Sequence, residues 1–91
     1  MKAGRITKIL YSSHFERALK ALPKEQSFIV AEREKMFRSN CFDPKLKTHK
    51  LKGNLGRYWS FSITYSHRIM FQFLDSSSVA FIDVGNHVIY Q

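Results

Sequence analysis

Apolar and polar residues alternate through the second half of the chain. In RYWSFSITY, residues 57–65, Trp59, Phe61, Ile63 and Tyr65 fall on one side while Tyr58, Ser60, Ser62 and Thr64 fall on the other, which is the period of a half-buried antiparallel strand. RIMFQFLD, residues 68–75, repeats it, with Ile69, Phe71 and Phe73 opposite Arg68, Met70 and Gln72. The serines at 76–78 make a turn, and VAFIDVG, residues 79–85, adds a further strand to the meander. The first half has other periods. RITKILY, residues 5–11, is rich in β-formers and predicts a strand. Phe15, Ala18, Leu19 and Leu22 then recur at helical spacing behind a capping box of Ser13 and Glu16. Pro23 ends that helix and opens a second, Lys24 to about Asn40, whose apolar stripe is Phe28, Ile29, Met36 and Phe37. Residues 41–56, CFDPKLKTHKLKGNLG, have a proline, two glycines and no sustained period, so they read mostly as loop. The order β-α-α-β-β-β predicts an α+β fold, with a helical hairpin packed on one face of an antiparallel sheet. A single domain over residues 1–91 accounts for the length.

The parity of the strands separates packing from chemistry. If Trp59, Phe61, Ile63, Ile69, Phe71 and Phe73 lie under the helices, then Ser60, Ser62, Arg68 and Gln72 share the opposite face. Asp83 and His87 fall on one side of the last strand, with Gly85 a place where that register can break. The face away from the helices then gathers Arg68, the serines and the loop that carries His49, with His87 at its edge.

Charge sharpens this picture. The net charge is +8, but residues 38–68 hold seven Lys or Arg and one acid, giving +6, while the rest hold eight bases and six acids, giving +2. One segment carries the field, and it suits nucleic acid or an acidic protein partner. The hydrophobic share of 44% is too high for a disordered tail. A lone Cys41 cannot form an internal disulfide, and no His/Cys pair has ligand spacing, so neither a metal nor another cofactor is expected. Lys8 interrupts the N-terminal apolar run, and no later run approaches a membrane span. A cytoplasmic protein without a membrane partner is expected.

Four blocks of sequence, LKTHKLKGNL (46–55), YWSFSI (58–63), HRIMF (67–71) and FIDVGNH (81–87), resemble the RelE/ParE superfamily of bacterial type II toxins. The resemblance is strongest to its YafQ-like and RelE-like mRNA interferases. It implies a toxin neutralised by a cognate antitoxin, acting at the ribosome as a metal-independent endoribonuclease on mRNA. His49 matches the histidine before the Leu-x-Gly turn of YafQ-like toxins, His87 that of their Gly-x-His ending, and Arg68 the arginine RelE-like members set against the scissile phosphate. The chain departs from the pattern at Ser62 and Ser66, which replace a histidine and an aspartate. His67 stands where many relatives have tyrosine, and Tyr90 falls one step short of an expected aromatic.

Such cleavage proceeds by attack of a 2′-hydroxyl on the adjacent phosphate and needs a base, an acid and positive charge at the phosphorane. Imidazole, with an ordinary pKa of about 6.5, suits both proton roles. His49, His87 and Arg68 are the implied catalytic set, with Ser62, His67 and Tyr90 as auxiliaries. Lys45, Lys47, Lys50, Lys52 and Arg57 suit RNA backbone, and Tyr58 suits a base. Each has a plainer reading: a solvated loop for His49 and the lysines, a chain end for His87, an ion pair with Asp75 or Asp83 for Arg68. Two other functions share the predicted fold: a ParE-like gyrase inhibitor, which needs no acid/base histidines, and a catalytically inactive RNA-binding module.

Overall fold

A computed structural model of the protein describes residues 4–86. In chain order the elements are β1 Lys8–Tyr11, α1 Ser13–Lys20, α2 Lys24–Ser39, β2 His49–Lys50, β3 Trp59–Ser62, β4 His67–Asp75 and β5 Ser78–Asn86. The five strands form one sheet in the order β1-β5-β4-β3-β2. Strands β3, β4 and β5 are antiparallel neighbours, as the alternation predicts, and β2, within the segment expected to be loop, adds antiparallel to β3. β1 instead joins parallel to β5, Lys8 opposite Ser78, which makes the sheet mixed. A parallel pair needs a long crossover, and here both helices and three strands intervene.

The apolar rows predicted for β3 and β4 do face the helices. Phe61, Ile69 and Phe71 are fully buried, with Trp59 and Phe73 packed at the margin. Phe37 of α2 sits at the centre, its ring stacked on Phe61 at 4.4 Å and edge-on to Phe71 and Phe81 at 4.9 and 5.5 Å.

The stripe of α2 differs from expectation. Val30 and Phe37 are its buried residues, while Phe28 is 70% exposed. Phe28, Ile29 and Val30 are successive apolar residues about 100° apart, so they cannot all face the sheet. Val30 shares a face with Phe37 seven positions on.

The cap of α1 is also displaced by one residue. Ser12, not Ser13, is the N-cap: its hydroxyl accepts from the Phe15 N–H at 2.9 Å and donates to the Ile82 carbonyl at 3.0 Å. It therefore ties the helix start to β5. Ser12→Ala is expected to lower stability by roughly 1–2 kcal/mol in urea unfolding, with Ser13→Ala nearly neutral. Equal costs for the two variants would contradict the assignment.

Two further departures shape the site. β3 stops at Ser62, and the Ile63 and Thr64 N–H groups both donate to the His67 carbonyl, turning the chain. Tyr65 is therefore 96% exposed at the turn instead of joining the core side. In β5, Met70 opposes Asp83 and Phe71 opposes Phe81, so Ile82 is an unopposed bulge residue. That bulge, not Gly85, shifts the parity and buries both Phe81 and Val84.

Candidate active site on the sheet face away from the helices

Residues 41–56 are more ordered than their composition suggests. Pro44–Leu46 and Gly53–Leu55 form short 3-10 turns, and between them β2 pairs with β3 as the sheet's outer edge. Gly53, in the Leu51-Lys52-Gly53 turn, has φ +65°, a conformation glycine reaches without strain. Lys47 takes a left-handed conformation at φ 52° and closes the first turn.

Pairing places the candidate residues in rows. His49 lies opposite Ser60, which lies opposite Met70; two residues along, Ser62 lies opposite Arg68, which lies opposite Gly85. Paired residues share a face and positions two apart repeat it, so His49 and Arg68 stand on the same face. Two strand spacings and two residues along the strand separate their Cα atoms by roughly 12 Å, within the combined reach of two long side chains. This face is less open than predicted. Ser60, expected outside, is fully buried and its hydroxyl has no hydrogen-bond partner among the described residues. The added strand β2 makes β3 an interior strand, which flanks Ser60 on both sides.

His49 is exposed, and its Nδ1 lies 2.9 Å from the Lys47 carbonyl oxygen. A carbonyl only accepts, so this contact places the proton on Nδ1 and leaves Nε2 free to take or give one. Arg68 donates to the Ser62 hydroxyl at 3.0 Å. The two carboxylates named as its alternative partners are engaged elsewhere. Asp83 lies 3.0 Å from Nε2 of His14 on α1. Asp75 accepts from the Ser77 N–H at 2.9 Å, and that bond holds its carboxyl below the usual carboxylate range. Among the described residues Arg68 forms no ion pair.

Beside Arg68 opens a cleft of about 430 Å³, into which Lys45, Lys47 and Arg33 also project, with Ser62, Thr64 and Tyr65 on its walls. Among the described residues no carboxylate lines it. Of the basic residues singled out by sequence, Lys45 and Lys47 reach this cleft. Lys50 shares the Trp59 side of the sheet, opposite His49, and Lys52 and Arg57 are exposed around the second 3-10 turn. Tyr58 is half-buried, its carbonyl accepting from the Leu51 N–H. His67 lies on the core side, Nδ1 3.0 Å from the Ser66 hydroxyl. Cys41 is buried, which pushes its thiol pKa up and leaves it unsuited as a nucleophile. His87 and Tyr90 lie outside the described residues. Arg33 was not legible as a site residue, because an arginine in EREK reads as an ordinary solvated helix position.

No protein-family model matches the chain, and no curated protein matches it. Solved structures do. The YoeB/ParE toxin from Agrobacterium tumefaciens superposes with a TM-score of 0.73 at 18% identity, over 89% of this chain and 99% of that one. YafQ from E. coli strain BL21(DE3) gives 0.71 at 16% identity, over 90% and 94%. The toxin-antitoxin complex RelBE2 from Mycobacterium tuberculosis gives 0.71 at 18% identity, over 90% and 92%. The protein thus has the fold of RelE/ParE-like toxins. No helix among the described residues is long and apolar enough to cross a membrane.

Proposed function

We propose that the chain is the toxin of a type II toxin-antitoxin pair and that it cleaves mRNA at the ribosome. The observation that carries this reading is the shared face: an exposed imidazole with one nitrogen free and an arginine without a carboxylate partner among the described residues, beside a cleft lined by cations. In the reaction, the 2′-oxygen bonds to phosphorus as the bond to the 5′-oxygen breaks. One histidine takes the 2′ proton and the other protonates the departing 5′-oxygen, leaving a 2′,3′-cyclic phosphate and a 5′-hydroxyl end. His49 and His87 fill those two roles, and Arg68 stabilises charge on the phosphorane oxygens. Lys45 and Lys47 hold the RNA backbone near them. Ser62 orients Arg68, a duty that differs from the histidine it replaces in the resemblance.

An antitoxin with an acidic segment is the expected partner, since the +6 region offers it a docking surface. DinJ-YafQ, a complex of E. coli, has the same fold in its toxin, with a TM-score of 0.71 at 18% identity over 94% of this chain. The test adds purified protein to ribosomes translating a defined mRNA and maps new 5′ ends. New 5′-hydroxyl ends with wild type, lost in Arg68→Ala, support the reading. Uncut mRNA together with stalled gyrase replaces it by the ParE-like function, and RNA binding without cuts by the inactive module.

A further inference from the structure

We propose that the cleft is a second nucleotide subsite next to the reacting phosphate, in which Arg33 holds the neighbouring phosphate and Tyr65 stacks on that nucleotide's base. The inference rests on the endoribonuclease reading. Arg33 comes from α2, on the far side of the sheet from His49, yet its Nε–H donates to the Ile63 carbonyl at 3.2 Å where β3 has just ended. That bond fixes the guanidinium and leaves its terminal nitrogens for a ligand. Arg33 has no ion pair among the described residues: of the two acids that flank it in sequence, Glu32 pairs with no cation there and Glu34 is bound to Arg38 and Tyr11. An arginine tethered to backbone and facing Lys45, Lys47 and Arg68 is held at a cost in charge repulsion that an anion relieves.

Cations alone would fit an acidic peptide as well as RNA. Tyr65 decides between them. Tyr65 is 96% exposed and lines the same cleft, so it contributes almost nothing to the core. A bare aromatic beside a phosphate-sized cationic site is the pairing that single-stranded nucleic acid uses, backbone on charge and base on ring. The turn that exposes Tyr65 and the carbonyl that anchors Arg33 both follow from β3 ending at Ser62. One local feature thus builds both halves of the subsite.

The experiment titrates a fluorescein-labelled RNA hexamer, 2′-O-methylated throughout so that it is not cut, with the full chain at several salt concentrations. R33Q is expected to weaken binding about tenfold at low salt and to reduce the slope of log K against log salt by about 0.7, the share of one phosphate on a single strand. Y65A is expected to weaken binding at least about fivefold with the slope unchanged, and Y65F to restore it. R33K retains the charge and is expected to keep the slope; thermal melts of every variant report folding separately. Wild-type binding with its salt slope, joined to an R33Q or Y65A variant that behaves as wild type, overturns the subsite and leaves the nuclease reading standing. A wild-type protein that ignores the RNA but binds polyglutamate with a salt slope overturns both and gives the cleft to an acidic protein segment.

Discussion

Replacing His49 by alanine is expected to slow mRNA cleavage by about 10²–10⁴-fold, the usual contribution of one well-placed proton-transfer group. The size of the effect follows from the geometry. The Lys47 carbonyl holds Nδ1–H and aims Nε2, so the ring is oriented before substrate arrives. Alanine removes the proton acceptor, and the other imidazole of this region among the described residues, His67, lies on the core side with Nδ1 against Ser66. Because His49 is exposed, the variant should melt like wild type. Single-turnover cleavage on programmed ribosomes, with melting as the control, reads both. A rate within about tenfold of wild type would return His49 to the status of a solvated loop residue.

Phe37→Ala is expected to cost about 3–5 kcal/mol in urea unfolding, a large part of the roughly 5–15 kcal/mol available to a domain. Phe37 is fully buried and touches the rings of Phe61, Phe71 and Phe81, which belong to three different strands. Truncation opens a cavity at the point where α2 meets all of them, and a rigid sheet cannot close over it. Phe37→Leu, which retains most of the volume, should lose about half as much or less. A cost below about 1.5 kcal/mol for the alanine variant would mean that the helix and sheet collapse onto each other, and that the core is less tightly packed than the ring contacts indicate.

The parts of this molecule legible in its sequence are those with a local period. Trp59 through Ser62 and Ile69 through Phe73 alternate, and a two-residue period has no second interpretation once turns bracket it, so the placement of Arg68 and Ser62 on the outer face follows directly. What stayed hidden depends on partners far along the chain. β2 is two residues long, too short to show any period, yet it makes β3 interior and buries Ser60. The parallel pairing of β1 with β5 joins segments separated by almost the whole chain. Within α2 the run Phe28, Ile29, Val30 offers three candidates for one core position, and only the direction in which the sheet lies selects Val30. Arg33 enters the cleft because β3 ends early and exposes the Ile63 carbonyl to it. No spacing in the sequence announces that.

β2 carries His49 on the outermost and shortest ribbon of the sheet, secured to β3 by two paired residues and the Leu51 amide. Such an edge frays at little free-energy cost, while the aromatic centre around Phe37 yields only in global unfolding. The edge to which the proposed reaction assigns His49 and the durable aromatic centre are therefore physically separate. On warming, the chemistry should fade first and the fold afterwards, so a sample that still looks intact by its spectrum can already be spent.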